Sequence, residues 1–81
     1  MKILVIEDEA DIAAFLKKGL AAEMCIVEVA KTGTEGVSLA RNNSYDAIIL
    51  DFHLGDMTGA EISGMIRIYK PDIPILVLSV E

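Results

Sequence analysis

Five side chains able to do chemistry follow directly on apolar stretches. Glu7, Asp8 and Glu9 come after Lys2-Ile3-Leu4-Val5-Ile6, Asp51 ends Ala47-Ile48-Ile49-Leu50-Asp51, and Ser79 follows Ile75-Leu76-Val77-Leu78. Each run is of strand length, and the polar residues Asn42-Asn43-Ser44 precede the central one, so each reads as a buried strand with a polar group at its carboxyl end. In open parallel sheets, ligands bind in the crevice beyond the carboxyl ends of the strands. The pattern predicts one pocket carrying several acids and a hydroxyl, suited to a cation.

The segments between these strands must hold them in parallel. Ile12, Phe15, Leu16 and Leu20 recur at helical spacing and predict the inward stripe of a first helix, with Asp11 at its start. Cys25 to Ala30 predicts a second strand burying Ile26, Val27 and Val29. Thr32-Gly33-Thr34-Glu35 has the spacing of a capping box, in which hydroxyl and carboxylate each satisfy an exposed N–H, and Val37, Leu39 and Ala40 continue that helix to Asn42-Asn43. The loop Phe52 to Gly59 contains Gly55 and Gly59, residues that permit unusual backbone geometry. Thr58 and Glu61 repeat the capping spacing before a helix whose inward residues are Ile62, Met65, Ile66 and Tyr69, and Pro71 ends it. Pro71-Asp72-Ile73-Pro74 turns into the last strand. The order is strand then helix three times, then a strand. Right-handed crossovers make such a sheet parallel, and near-continuous apolar strands imply cover on both faces.

The totals bound the function. Eighty-one residues make one small domain spanning 1–81. Thirteen Asp and Glu against seven Lys and Arg exclude nucleic-acid backbone binding by this segment, which needs a basic face. The apolar runs are too short to cross a membrane or to form a signal-peptide core, so the expected setting is the cytoplasm. Cys25 is the single cysteine, expected as a small buried hydrophobe with no disulfide partner. Met57, Met65 and Tyr69 are expected to be packing residues.

With Glu7-Asp8 after the first strand, Asp51 after the third, Gly59 leading into a helix and Ser79 after the fourth strand, the chain resembles the receiver domain of two-component response regulators. The likeness runs the whole length. It implies a flavodoxin-like, three-layer α/β/α fold with a parallel sheet of strand order 2-1-3-4. It further implies that Asp51 accepts a phosphoryl group from a sensor histidine kinase, and that Asp8, Asp51 and the backbone carbonyl of His53 hold Mg2+, with Glu7 acting through a bound water. Ser79 matches the switch hydroxyl that turns toward the phosphoryl oxygen. The His53 side chain, two residues beyond the acceptor, lies over the site in the resemblance and bears on acyl-phosphate lifetime.

Elementary electrostatics agrees with the cation. Carboxylates a few ångströms apart repel by about 4 kcal/mol per pair at an intermediate effective dielectric, which a divalent ion relieves. Magnesium accepts one or two protein carboxylates plus phosphate oxygens, and an imidazole nitrogen suits it poorly. Glu9 reads as a solvated helix start.

The sequence departs from the family in three places. Gly55 stands where receivers usually have proline, and Thr58 where an acidic residue is common. The third is length: complete receivers continue through a helix, a fifth strand ending in a phosphoryl-pairing lysine, and a last helix, so the chain reads as a C-terminally incomplete receiver. Slow phosphorylation and an exposed edge at Ile75 to Val80, favouring a homo-oligomer, are the expectations. Any DNA-binding output domain would belong to the parent protein. The alternative is a receiver-like interaction or dimerisation module that works without phosphorylation. A haloacid-dehalogenase-like phosphatase is disfavoured because its second acid falls where this chain has His53, and flavin binding because the first turn is acidic.

Overall fold

Seven elements alternate along the computed structural model, which describes residues 1–78. They are β1 (Lys2–Ile6), α1 (Ala10–Ala22), β2 (Ile26–Ala30), α2 (Gly33–Asn42), β3 (Ala47–Asp51), α3 (Gly59–Tyr69) and β4 (Ile75–Leu78). The sheet order is β2-β1-β3-β4 and every pair is parallel, as the resemblance implied. All four carboxyl ends therefore open on one edge of the sheet. Ser79 and the rest of the expected edge to Val80 lie outside the described residues.

One face of the sheet carries the main core. Leu4 and Ile6 of β1, Ala30 of β2, and Ile48 and Leu50 of β3 pack with Val37 and Ala40 of α2 and Ile62 and Ile66 of α3. Each fully buried Leu or Ile contributes about 1.5–3 kcal/mol of transfer free energy, so this cluster is the chief source of stability. By strand alternation Ile3 and Val5 point to the other face, where α1 packs over β1 and β2 and buries Ala13.

α3 starts on a complete capping box. The Thr58 hydroxyl oxygen accepts from the Glu61 N–H at 3.1 Å, and the Glu61 carboxylate accepts from the Thr58 N–H at 3.0 Å. Thr58→Ala is expected to cost about 1 kcal/mol, read as a lower urea midpoint with an unchanged slope. An unaltered midpoint would show that the cap contributes nothing. In α2 only half of the expected box forms. Thr32 accepts from Glu35 N–H at 3.0 Å, while the remaining first-turn donors are met from elsewhere in the chain.

Several burial expectations need correction. Phe15 is 77% exposed, because α1 lies over β1 and β2 along a line through Ala13 and turns Phe15 away from them. Met65 and Tyr69 flank the α3 contact line through Ile62 and Ile66 and are partly exposed; the Arg41 guanidinium covers the Tyr69 ring at 4.9 Å. Ile26 is exposed because it opens an edge strand, and Cys25, just before it, is only half-buried. Neither Gly55 nor Gly59 uses positive φ. Gly59 is needed for space instead, since a Cβ there would lie 3.0 Å from both Leu50 Cδ1 and Phe52 Cα.

Candidate functional site

Strand register brings the acids together. Ile6 pairs with Leu50, so the next residues, Glu7 and Asp51, emerge side by side at the carboxyl ends of β1 and β3. Glu7, Asp8 and Asp51 each offer a carboxylate oxygen, and these oxygens lie within 4.8 Å of one another. Glu7 is 3% exposed, Asp51 is half-buried and Asp8 lies at the open rim. Glu9 stays apart as the N-cap residue of α1 and lends its backbone N–H to the Glu7 carboxylate at 3.2 Å.

Burial pushes the Glu7 carboxyl above its ordinary value, and the charges of Asp51, Asp8 and Glu9 add to that push against the opposing Glu9 N–H. An acid in this setting favours either a proton or a cation. The donors are all hard oxygens, and the shared position between two strand ends suits a small divalent ion.

Asp51 is oriented by the loop that follows it. The His53 N–H donates to Asp51 Oδ1 at 3.3 Å, and Phe52 N–H continues the ladder to the Leu78 carbonyl at 3.0 Å. The loop closes on itself where Gly59 N–H donates to the Phe52 carbonyl at 2.8 Å and His53 bridges Thr58. The His53 imidazole is exposed, stands edge-on to Phe52 with ring centres 4.9 Å apart, and does not join the acid cluster. Its backbone, rather than its ring, touches the site.

A cavity of about 330 Å³ lined by Tyr45, Tyr69, Lys70 and Pro74 opens at the opposite ends of the strands. It contains none of the clustered acids, so charge convergence rather than hollow volume marks the candidate site.

Sequence reasoning missed Asp56. At the loop tip its carboxylate accepts from the Gly33 N–H at 2.8 Å, the Thr34 N–H at 2.9 Å and the Thr34 hydroxyl at 2.8 Å. The two N–H groups are the earliest of α2, and the capping spacing of Thr32 and Glu35 provides no partner for either. Nothing in the spacing announces a bond across more than twenty residues; an aspartate between two glycines reads as a plain turn.

Comparison with known proteins gives a consistent picture. The sequence profile described as the response regulator receiver domain matches residues 3–81. Over 79 residues the chain is 40% identical to the transcriptional regulatory protein CusR of Escherichia coli strain K12, a match covering 98% of this chain and 35% of that protein. The chain thus spans about a third of the length of that curated relative. Response regulator TrrA of Thermotoga maritima, solved in complex with Mg2+-BeF, superposes with a TM-score of 0.94 at 34% identity, covering 99% of this chain and 70% of that one. TrrA in complex with the histidine kinase ThkA gives 0.91 at 34% identity, covering 98% and 68%.

Proposed function

The chain belongs to the response regulator receiver domain family, and on that premise we propose that it takes a phosphoryl group from a sensor histidine kinase onto Asp51. The observation that carries this reading is the convergence of the Glu7, Asp8 and Asp51 carboxylates at the ends of two adjacent parallel strands. TrrA, a neighbour in structure, is known in complex with a histidine kinase, which supports a kinase as the phosphodonor.

In the proposed reaction an Asp51 carboxylate oxygen attacks the phosphorus of a phosphohistidine. The P–O bond forms as the P–N bond breaks, its electron pair returns to the imidazole nitrogen, and an acyl phosphate remains on Asp51. The His53 N–H donates to Asp51 Oδ1 and so biases the orientation of the Asp51 carboxylate for that attack. Glu7, Asp8, Asp51 and the His53 carbonyl would hold Mg2+, which supplies charge neutralisation for the phosphoryl oxygens. Positioning then remains the main task of the protein. The role is that of a signalling phosphoacceptor whose catalysis extends at most to its own phosphorylation and dephosphorylation. Ser79 is assigned the switch that senses the phosphoryl group.

CusR is a transcriptional regulatory protein, which supports a DNA-binding output domain in the parent protein and a cytoplasmic setting. None of the described helices is long and apolar enough to cross a membrane. Among the described residues β4 is an outer strand of the sheet, with Leu76 58% and Val77 41% exposed, and we assign it to homo-oligomer contact by edge pairing. Sedimentation velocity across a concentration series is expected to show association of this chain; a concentration-independent monomer would remove that assignment.

Intact mass after incubation with Mg2+ and a small phosphodonor tests the central reading. One phosphoryl adduct, stable to acid and labile to base, is expected on the parent and none on Asp51→Asn. An adduct that persists in Asp51→Asn, or its absence from the parent, overturns the assignment.

A further inference from the structure

The N-terminus of a helix leaves its first backbone N–H groups without intrahelical partners. In α2 the two earliest, Gly33 and Thr34, are both taken by Asp56, which reaches back from the loop joining β3 to α3. The Thr34 hydroxyl adds a third donor to the same carboxylate. Beside it, Met57 fills the space that a Gly33 side chain would need; a Cβ at Gly33 would lie 2.9 Å from Met57 Cβ. The loop tip is therefore bound to α2 both by charge-assisted hydrogen bonds and by packing.

The other limb of the same loop carries His53. Its bridge to Thr58 couples the limbs, and its N–H reaches Asp51 Oδ1 at 3.3 Å, a long bond whose geometry follows the loop. We propose that Asp56 is a positioning residue for the acceptor site: by clamping the loop onto the first turn of α2, it fixes the His53 backbone and so the set of oxygens offered to the cation. This rests on the reading of Asp51 as the phosphoacceptor.

The clamp keeps its charge across the working range. The Thr34 and Gly33 N–H groups and the Thr34 hydroxyl hold the Asp56 carboxyl at about 2, below its ordinary 3.8. The positive end of the α2 dipole acts in the same direction.

The test measures Mn2+ affinity by electron paramagnetic resonance, without phosphodonor, under conditions where circular dichroism shows each variant folded. Asp56→Ala is expected to weaken Mn2+ binding about tenfold and Thr34→Val, which keeps both N–H donors, about twofold. Asp56→Asn, whose single carbonyl oxygen still accepts from the Gly33 N–H while its NH2 replaces the oxygen that faces Thr34, is expected to fall between the parent and Asp56→Ala. A purely structural cap would lower the urea midpoint of Asp56→Ala and leave the affinity of the folded protein unchanged, and that result overturns the proposal. If Asp56→Ala does not fold, Thr34→Val decides, and parental affinity in it counts against the clamp. A parent that neither binds Mn2+ nor accepts a phosphoryl group overturns the acceptor reading itself, and the clamp with it.

Discussion

Glu7→Gln is expected to weaken divalent-cation binding by at least about tenfold and to stabilise the metal-free protein at neutral pH by about 1 kcal/mol. Both effects come from one buried carboxylate. Glu7 is 3% exposed and shares its surroundings with Asp8 and Asp51, so its negative charge opposes folding unless a cation balances it. The amide has nearly the same shape, and its carbonyl oxygen still accepts from the Glu9 N–H, so the loss falls on charge rather than packing.

The pH dependence follows with a definite sign. Because burial raises the folded carboxyl above the ordinary 4.5, the folded protein binds this proton more tightly than the unfolded chain does. The contribution is complete below that ordinary value and is lost as pH rises through the raised one. Urea unfolding in the presence of a chelator should therefore show stability of the parent declining as pH rises above 4.5, and Glu7→Gln should flatten that decline. Equal slopes in parent and variant would rule out Glu7 as its source. Calorimetric titration with Mg2+ checks the affinity arm.

The second large effect concerns a glycine that borders the same strand. A Cβ at Gly36 would lie 2.5, 2.8 and 2.9 Å from three side-chain carbons of Ile6, a residue with no exposure. Ile6 is β-branched and held by the core, so it yields little. Alanine gains about 1 kcal/mol of helix propensity there, but overpacking costs up to about 3 kcal/mol, for a net loss of about 2 kcal/mol. That is a large part of the roughly 4–12 kcal/mol available to a domain of this size. Gly64, in α3, offers the control: nothing lies within 4 Å of its Cβ position, and Gly64→Ala is expected to gain up to about 1 kcal/mol. Denaturant titration of both variants checks the opposite signs. If Gly36→Ala proves as stable as Gly64→Ala, the close approach of α2 to β1 is not a constraint. Since Ile6 immediately precedes Glu7, the same overpacking should also disturb the acids.

Local pattern carried a great deal. Runs such as Lys2 to Ile6 and Ala47 to Asp51 match β1 and β3 residue for residue, because a continuous apolar stretch bounded by polar residues has few other ways to be buried. The capping signal at Thr58 was legible because both partners lie within one helical turn. Burial on the helices was less legible. Phe15, Met65 and Tyr69 have the right spacing for inward residues, yet the width of the buried stripe depends on what each helix packs against.

The residue types of the candidate site, acids placed just beyond apolar strands, were determined by the sequence alone, as was the parallel alternating fold that gathers strand ends on one edge. Only the tertiary structure decided that Glu7 is the buried acid and Asp8 the exposed one, that His53 meets Asp51 through its backbone, and that Asp56 closes the first turn of α2. The reason is range: strand and cap signals act between neighbours, whereas desolvation, register and a hydrogen bond across more than twenty residues exist only once the crossovers have brought distant segments together.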